Sequence, residues 1–370
     1  MKVGITGQSG FIGWHLYNSI KFKFKNFILI DFKKEFFYNS NDLDQFVSMC
    51  DVIIHLAGLN RFNDGKKLYK ENINLASYLL ESIKRTDFKG KVIFSSSYKE
   101  KIGGDYGKAK NVIRNMFISE SKLCNFKFSG LLIPNVFGPF SKPNHNTFIA
   151  TFCSKIINGK IPKIIQDSLI PLIYIDDLIL ELINEINNKT NNKKIINPEI
   201  KIKVSEVLDL IKYFYKTYLN NHKFPKIKSK FSQNLFNTFL SFIVKDDYYP
   251  VYLKNNIDER GSFFEIIRQE SVGQTSISFT LPKIIRGNHF HTKKIERFCV
   301  VKGEALIKLR KLGESKIIKF IVSGSKPSFI DIPIWHTHSI ENIGKDELVT
   351  VFWINEHYDE KKSDTFLEIV

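Results

Sequence analysis

The chain has 370 residues, 43% of them hydrophobic and 25% charged, which is enough apolar material for one large core or two ordinary ones. This composition excludes a mainly disordered protein. Lysine and arginine number 55 against 38 acidic residues, so the formal net charge is +17, and the basic residues are spread along the whole chain. A phosphate-bearing partner fits this charge, and a nucleotide cofactor or nucleotide-linked substrate fits it as well as nucleic acid does.

The cysteines argue against a thiolate zinc site and against a disulfide-stapled secreted fold. They lie far apart and include no CxxC pair: Cys50, Cys124, Cys153 and Cys299. The first residues, MKVGITG, lack the apolar core of a signal peptide, and no stretch approaches the roughly 20 apolar residues that span a bilayer. We therefore expect a soluble, cytoplasmic protein with reduced thiols and no membrane partner.

From Met1 to about Tyr218, short apolar or β-branched runs alternate with stretches of helical pattern. The runs are KVGIT, FILID, VIIHL, KVIFSSS and FSGLLIP. Strands that alternate with helices form parallel sheets, so this half predicts an α/β domain with a Rossmann-type parallel sheet. The segment ENINLASYLLESIK, between the third and fourth runs, has the apolar spacing of a crossover helix.

The pattern changes after Asn220, where the polar and basic stretch NNHKFPKIKSK predicts a connecting segment. Past Tyr249, strand-like runs follow one another without helices between them: TSISFTL, RFCVVKG, EALIKLR, SFIDIPI and LVTVFWI. Such a succession predicts an all-β sandwich or barrel. We place the α/β domain at residues 1–245 and the all-β domain at residues 246–370.

A glycine-rich turn follows the first predicted strand and opens the first helix. Gly7, Gly10 and Gly13 have the spacing GxxGxxG, and Phe11 and Ile12 lie between the last two glycines. Glycines let the backbone approach a pyrophosphate, and the helix N-terminus offers N–H groups and a positive dipole. An ordinary tight turn can have the same spacing, but the position near the start of the chain favours a dinucleotide-binding site.

The second predicted strand ends at Asp31, whose carboxylate suits the ribose hydroxyls of NAD. Lys33 and Lys34 follow immediately and suit the 2′-phosphate of NADP, although they are also compatible with a solvated surface. The residues themselves therefore leave NAD and NADP both open.

Tyr106 and Lys110 are four positions apart, which places them on one face of a helix. A nearby ammonium favours the phenolate, so we expect Lys110 to lower the pKa of Tyr106 toward a range useful for proton transfer. The serines Ser95, Ser96 and Ser97 end the preceding strand. The YxxxK pattern is common by chance, but with these serines and the glycine turn it becomes specific.

This half of the chain resembles the extended branch of the short-chain dehydrogenase/reductase superfamily, which acts on nucleotide sugars. The matching segments are TGQSGFIG at 6–13, HLAG at 55–58, SSS at 95–97, YGKAK at 106–110, PNVFGP at 134–139 and YIDDL at 174–178. The resemblance implies that Tyr106 donates a proton to the substrate carbonyl and that Lys110 binds the nicotinamide ribose. It implies that Ser97 holds the carbonyl oxygen, with Ser96 as the alternative.

The same resemblance assigns a cofactor-binding role to these residues: Gly7, Gly10, Phe11, Ile12, Gly13, Asp31, Lys33, Leu56, Ala57 and Lys110. Two departures from the family stand out. Only eight residues separate Ser97 from Tyr106, which predicts an open rim at the active site. Leu132 and Ile133 stand where an arginine often precedes the PxN segment, which leaves the usual substrate-side contact without its arginine.

A second constellation lies in the all-β half, where GNHFH is followed by Glu296 and, much later, by His338. On a strand, His289 and His291 project from the same face. With Glu296 and His338 arriving from later strands, three imidazoles and one carboxylate suit Zn, Mn, Fe or Ni, although a lone buried histidine is more often structural. We interpret His336 as a neighbour and not a ligand.

This spacing resembles the two motifs of the cupin superfamily, which implies a small jelly-roll barrel. Trp335 replaces the usual glycine, and we expect it to narrow the pocket mouth. DERGSFFE at 258–265 and RGNH at 286–289 resemble the deoxysugar 3,5-epimerase branch, in which the histidine matching His289 is a general base. Two roles therefore compete for His289, because a metal-bound histidine would leave the base unidentified.

Together, the two halves resemble the bifunctional capsule and O-antigen enzymes that make UDP-2-acetamido-2,6-dideoxy-L-talose on the way to UDP-N-acetyl-L-fucosamine. The resemblance implies 3-epimerisation of a UDP-linked 4-keto-6-deoxy amino sugar and then NADPH-dependent reduction at C4. It also implies a divalent metal, for which we expect zinc, and a homodimer. Epimerisation must come first, because the hydrogen on C3 is acidic only while C4 is a carbonyl.

Two other functions compete with this interpretation. A dinucleotide-sensing scaffold with a cupin dimerisation module is one, since both folds have non-enzymatic members. The serine, tyrosine and lysine set argues against it. Nucleic-acid binding is the other and requires a clustered basic face, whereas the lysines here are dispersed, so we expect no nucleic-acid partner.

Overall fold

The chain divides into two units in a computed structural model, which describes all residues except 61–63, 146, 189, 191, 244–247, 254–255, 259–260, 264–267, 270–273 and 357–362. The first unit comprises Met1–Phe152 and Pro162–Val207, and the second comprises Cys153–Ile161 and Leu208–Val370. The second unit therefore begins well before residue 246. The domain boundary that we predict between residues 245 and 246 lies outside the described residues and stays a prediction.

The first unit contains a parallel sheet with helical crossovers. Its strands are β1 (Lys2–Thr6), β2 (Ile28–Ile30), β3 (Val52–His55), β4 (Lys91–Ser97), β5 (Lys127–Ile133), β6 (Asn135–Phe137), β7 (Leu169–Tyr174), β8 (Asn192–Ile195) and β9 (Ile200–Lys203). Six of them form one sheet in the order β2-β1-β3-β4-β5-β8, with every neighbouring pair parallel. The predicted α/β architecture is thus confirmed. A smaller sheet has the order β6-β7-β9.

Helices lie between the strands along the chain, and those between the strands of the six-stranded sheet are its crossovers. They are α1 (Phe11–Lys23), α2 (Ser40–Met49), α3 (Gly65–Arg85), α4 (Gly104–Cys124), α5 (Phe148–Ile157), α6 (Ile175–Asn187), α7 (Val204–Phe214) and α8 (Lys230–Leu240). The predicted crossover helix lies within α3, where Leu79, Leu80 and Ile83 are buried in the core of the first unit. Within the described part of the chain, no helix has both the length and the apolar character needed to cross a bilayer.

Antiparallel strands dominate the second unit. They are β10 (Lys223–Phe224), β11 (Val251–Tyr252), β12 (Asn256–Asp258), β13 (Gly261–Phe263), β14 (Arg268–Gln269), β15 (Gln274–Thr280), β16 (Ile285–Phe290), β17 (Glu296–Lys302), β18 (Glu304–Lys311), β19 (Ile318–Ser323), β20 (Ser328–Ile332), β21 (His336–Asn342), β22 (Leu348–Ile354) and β23 (Phe366–Leu367). Two five-stranded sheets have the orders β11-β20-β17-β22-β15 and β19-β18-β21-β16-β23. This arrangement confirms the predicted all-β, cupin-like region.

Helix α8 is an element that the sequence analysis did not predict. Ser229 caps it, because its hydroxyl accepts the N–H of Ser232 at 3.1 Å while the Ser232 hydroxyl accepts the N–H of Ser229 at 3.0 Å. Phe231, Leu235 and Phe239 are buried in the second unit. The cap is a local signal. Phe239 packs against Phe214 of α7, with 6.0 Å between the ring centres, and this contact between two helices is one that the sequence pattern alone does not reveal.

Candidate functional site

The glycine-rich turn joins β1 to α1 through close backbone contacts. Gly7 has a φ of 78°, which glycine adopts without a steric penalty. A Cβ atom on Gly13 would lie 2.1 Å from the carbonyl oxygen of Gly7, so a larger residue would push α1 away from the turn. Gly10 is the N-cap residue of α1 and has no side chain, which leaves the N–H groups of Phe11 and Ile12 open to a phosphate.

A cleft of about 200 Å³ lies at the carboxyl ends of the central parallel strands in the first unit. Its lining brings together most of the predicted reductase residues: Gly7, Gly10, Phe11, Ile12, Gly13, Leu56, Ser96, Ser97, Tyr106 and Lys110. Ala57 lies directly behind the turn, since its main-chain nitrogen would be 2.8 Å from a Cβ atom on Gly7. One cleft therefore combines the glycine turn with the serine, tyrosine and lysine set.

Asp31 and Lys33 are exposed and follow β2, which is paired with β1. The Tyr17 hydroxyl donates a hydrogen bond of 3.1 Å to the carboxylate of Asp31. The N–H of Phe32 donates to the side-chain oxygen of Gln8, at 3.4 Å, which ties this strand end to the glycine turn. Neither Asp31 nor Lys33 belongs to the described residues that line the cleft, so their predicted cofactor role remains a prediction.

Lys110 is buried beside the carboxyl end of β4. Its ammonium donates a hydrogen bond of 2.8 Å to the main-chain oxygen of Ser95 and lies 5.7 Å from the centre of the Tyr106 ring. Burial lowers the pKa of Lys110 to about 8, and the nearby carboxylate of Glu100 opposes this shift. The side chain is therefore held in place by the main chain of the strand that ends at the serines.

Burial raises the pKa of Tyr106 to about 12, so the expectation that Lys110 lowers this pKa is wrong for the protein by itself. The phenolate loses more by desolvation than it gains from an ammonium 5.7 Å from the ring centre. Lys99 is a second cation near the same ring, with its ammonium 5.8 Å from the ring centre, and it also lines the cleft. Sequence reasoning missed Lys99, which lies in the short connection between Ser97 and Tyr106.

The two candidate serines have different hydrogen bonds. The Ser97 hydroxyl accepts the N–H of Lys99 at 3.2 Å, which leaves its own hydrogen for another acceptor. The Ser96 hydroxyl donates to the carboxylate of Glu100, which also receives the guanidinium of Arg114 at 2.9 to 3.1 Å. Because the Ser96 hydroxyl is committed to Glu100, Ser97 is the better candidate for contact with a substrate carbonyl.

In the second unit, the four predicted metal ligands converge: His289, His291, Glu296 and His338. One ligand atom of each lies within 4.8 Å of the others. Glu296 begins β17 in one five-stranded sheet, whereas His289 in β16 and His338 in β21 belong to the other. The cluster therefore depends on residues from both sheets. His336 lies outside this group, and its Nδ1 donates a hydrogen bond of 3.0 Å to the main-chain oxygen of Ile334.

The donor atoms of this cluster fit a divalent cation. Nε2 of His338 and Nε2 of His291 lie 3.0 Å and 3.4 Å from Oε2 of Glu296. All three atoms are buried, and none of them forms a regular hydrogen bond with a group in the described residues. Three imidazoles and one carboxylate that converge, three of them buried and His289 partly exposed, are a ligand set for zinc or a related metal.

The charges within the cluster shift the pKa values of its members. Burial by itself would raise the pKa of Glu296, but His291 and His338 outweigh it and hold this pKa well below its usual range. Burial works against protonation of His291, yet Glu296 raises its pKa. His289 is only partly buried, and burial together with the two other imidazoles lowers its pKa to about 4. His289 is therefore a neutral imidazole near pH 7.

Trp335 does not narrow a pocket mouth, and that expectation is wrong. The side chain is completely buried and stacks on Phe290 with a distance of 5.6 Å between ring centres. Trp335 has a φ of 60°, in the left-handed region that glycine adopts without a steric penalty. This backbone conformation explains why related motifs have glycine at this position. The indole ring thus belongs to the core next to β16.

Comparisons with known proteins cover both units. The family described as NAD dependent epimerase/dehydratase matches residues 3–197, and the polysaccharide biosynthesis C-terminal domain matches residues 256–366. UDP-2-acetamido-2,6-beta-L-arabino-hexul-4-ose reductase of Pseudomonas aeruginosa is 30% identical over 374 residues, which cover 99% of this chain and 98% of that protein.

Two further similarities concern a solved structure and a second curated protein. The crystal structure of capsular polysaccharide assembling protein CapF from Staphylococcus aureus is 30% identical, with a TM-score of 0.63 and coverage of 100% of both chains. Spore coat polysaccharide biosynthesis protein SpsL of Bacillus subtilis is 25% identical over 122 residues, which are 30% of this chain and 81% of that protein.

Proposed function

The chain belongs to the NAD dependent epimerase/dehydratase family, and on this premise we propose that it is a bifunctional nucleotide-sugar enzyme of capsular polysaccharide synthesis. The second unit epimerises C3 of a UDP-2-acetamido-2,6-dideoxy-4-hexulose, and the first unit then reduces the C4 ketone with NADPH. The product is UDP-2-acetamido-2,6-dideoxy-L-talose. The observation that carries this proposal is the single cleft that contains the glycine turn together with Ser97, Tyr106 and Lys110.

The chemistry is divided between the bound groups and the chain. When bound, NADPH supplies the hydride, and a divalent metal supplies positive charge near a carbonyl oxygen. The glycine turn and the N-terminus of α1 hold the cofactor pyrophosphate. Ser97 and Tyr106 hold the substrate ketone by hydrogen bonds to its oxygen, and Tyr106 gives its hydroxyl proton to that oxygen as the ketone is reduced.

Lys110 makes this proton transfer possible. The pKa of Tyr106 is raised to about 12, so the phenol is protonated and ready to donate at neutral pH. Its anion must then be stabilised, and the ammonium groups of Lys110 and Lys99 lie 5.7 Å and 5.8 Å from the ring centre. The hydrogen bond from Lys110 to Ser95 fixes one of these charges before the substrate arrives.

The second unit supplies the epimerisation. Removal of the C3 hydrogen leaves an anion that delocalises onto the C4 oxygen, and inversion is complete when a proton returns to C3 from the opposite face. The reaction therefore needs a base, a positive charge near the C4 oxygen and a proton donor on the other face. His291, Glu296 and His338 would hold the metal, with His289 as a fourth ligand or as the base. His289 suits the role of base because it is the partly exposed member of the cluster, which leaves its imidazole accessible to a substrate.

The test is turnover of NADPH by the purified, metal-replete protein with the UDP-linked 4-keto sugar. We expect loss of NADPH absorbance that depends on the sugar, and NMR analysis of the product should show the talose configuration. Tyr106→Phe should lower the rate of this reaction by at least about 10²-fold. No turnover by the wild-type protein would favour the dinucleotide-sensing scaffold instead. A homodimer and a cytoplasmic location complete the proposal.

A further inference from the structure

The C-terminal end of the chain packs against the strand that carries His289. Strand β23 pairs with β16 in antiparallel register, with Leu367 opposite His289 and Phe366 opposite Phe290. The N–H of Glu368 also donates to the main-chain oxygen of Asn288, at 2.9 Å. The segment around β23 therefore lies beside the strand that carries His289, one member of the cluster.

Asp364, just before β23, binds the turn between β16 and β17 through its carboxylate. The carboxylate accepts the N–H groups of Thr292, Lys293 and Lys294 at 3.1, 2.7 and 3.2 Å. It also accepts the Thr292 hydroxyl at 2.6 Å. These four contacts fix a turn that lies between two members of the cluster, since His291 precedes it and Glu296 follows it.

The main-chain oxygen of Asp364 makes a separate contact with His291. It lies 2.5 Å from Nδ1 of the imidazole. A carbonyl oxygen only accepts hydrogen bonds, so Nδ1 must carry the proton. The lone pair of the neutral ring then resides on Nε2, which is the atom that faces Glu296 at 3.4 Å. The contact selects the tautomer of His291 that is able to bind a metal.

We propose that Asp364 is a positioning residue for the metal centre, a role that extends the proposed function and rests on it. Its carboxylate holds the 292–294 turn, and this anchor places its own main-chain oxygen against Nδ1 of His291. One residue of the C-terminal end thus sets both the position and the tautomer of a ligand. Groups that orient a metal-binding histidine in this way commonly change metal affinity by about 10- to 100-fold.

The chain provides a matched control on the same segment. Glu368 has a carboxylate that pairs with Arg310 at 3.1 Å, and its side chain has no described contact with the cluster. Glu368→Ala therefore removes a carboxylate contact from the C-terminal end without removing the anchor at the turn. Asp364→Ala removes the anchor, and Asp364→Asn keeps one side-chain oxygen that accepts hydrogen bonds.

The experiment measures zinc affinity of the full-length protein by competition with a chelating dye, with circular dichroism to verify folding. We expect Asp364→Ala to bind zinc about 10- to 100-fold more weakly, Asp364→Asn to recover part of the loss, and Glu368→Ala to match the wild type. Thr292→Ala removes only the hydroxyl contact and should show a smaller loss of zinc affinity. This variant replaces Asp364→Ala in the test if Asp364→Ala does not fold.

A cobalt-substituted protein gives a second readout that general destabilisation would not move. The absorption bands of bound cobalt should shift in Asp364→Asn and should overlay those of the wild type in Glu368→Ala, because only the former changes the setting of His291. Wild-type affinity and an unchanged spectrum in the Asp364 variants would overturn the inference while leaving the metal centre intact. Failure of the wild type itself to bind zinc or cobalt would overturn the metal centre as well.

Discussion

The ammonium of Lys110 is hydrogen-bonded to the main-chain oxygen of Ser95 over 2.8 Å, so the charge beside Tyr106 is fixed by the end of strand β4. Lys110 is almost completely buried, and this burial lowers its pKa to about 8. The protonated form is the one that can stabilise the anion of Tyr106. The ionisation of Lys110 should therefore be visible in the activity at moderately alkaline pH.

We predict that kcat/KM for NADPH-dependent reduction is level at neutral pH and falls about tenfold per pH unit above pH 8, the pKa of Lys110. Tyr106 does not contribute to this fall, because its pKa of about 12 keeps it protonated. Lys110→Met should lower the rate by about 10²- to 10⁴-fold and abolish the alkaline fall. An unchanged alkaline fall in the variant would show that another group is responsible.

The buried pair of Glu100 and Arg114 gives a second prediction. The negative charge of Glu100 raises the pKa of Lys110. The same carboxylate accepts hydrogen bonds from the Ser96 hydroxyl and from the Arg114 guanidinium. Glu100→Gln should therefore move the alkaline fall in kcat/KM to lower pH. It should also destabilise the protein by about 3 to 5 kcal/mol, since Arg114 keeps a buried charge without its partner. Chemical denaturation and a pH–rate profile of the same variant test both effects.

The cluster in the second unit predicts loss of metal when its carboxylate is neutralised. Glu296→Gln keeps the size of the side chain but removes the charge between His291 and His338, so the purified variant should contain little or no zinc by elemental analysis. Glu341→Gln is a control, because Glu341 forms an ion pair with Lys308 at 3.4 Å on the sheet that carries His289 and His338. Full zinc occupancy in Glu296→Gln would contradict the assignment.

His289→Gln separates the two roles that compete for His289. A variant that loses zinc identifies a ligand, and a variant that keeps zinc but no longer exchanges the C3 hydrogen identifies the base. The partly exposed position of His289, in contrast to its three buried neighbours, favours retention of zinc. Metal analysis and C3 exchange on the same preparation distinguish the two results.

Buried histidines should make the metal-free protein sensitive to mild acid. Burial, together with the charge of Lys110, lowers the pKa of His55 to about 3, and burial lowers that of His336 to about 4. The unfolded chain takes up these protons below about pH 6.5, so the free energy of unfolding should fall by about 1.4 kcal/mol per pH unit and per histidine. Urea unfolding at about pH 7 and about pH 5 should show a smaller difference in His55→Asn than in the wild type.

Much of the reductase cleft could be predicted because its signals are local. Three features lie in short segments: the glycine turn, the strand-end serines and the pair of Tyr106 and Lys110. Within such a segment, the spacing of the residues predicts how their side chains are placed relative to one another. Parallel strands bring their carboxyl ends to one edge of a sheet, so these segments meet. The cluster in the second unit could be predicted for a related reason, since His289 and His291 are two positions apart on one strand, but the sequence pattern does not state how the later strands bring Glu296 and His338 to them.

The rest depends on contacts between distant residues. The pKa of Tyr106 depends on its burial, which cannot be predicted from the spacing of residues. For this reason the expectation that Lys110 lowers this pKa was wrong. Trp335 is buried because it stacks on Phe290, far away in the sequence. Asp364 is more than 70 positions away from His291 in the sequence, and the pairing of β23 with β16 together with its own contacts to the 292–294 turn places it beside the cluster.

The central claim is a division of labour between the two units, and incubation of the 4-keto sugar in deuterated water tests it most directly. The full-length wild type, Tyr106→Phe and Glu296→Gln are compared without NADPH, and deuterium at C3 is measured by NMR. We predict that Tyr106→Phe incorporates deuterium like the wild type although it cannot reduce the ketone, whereas Glu296→Gln incorporates little. Loss of exchange in Tyr106→Phe, with normal exchange in Glu296→Gln, would contradict the assignment of epimerisation to the second unit.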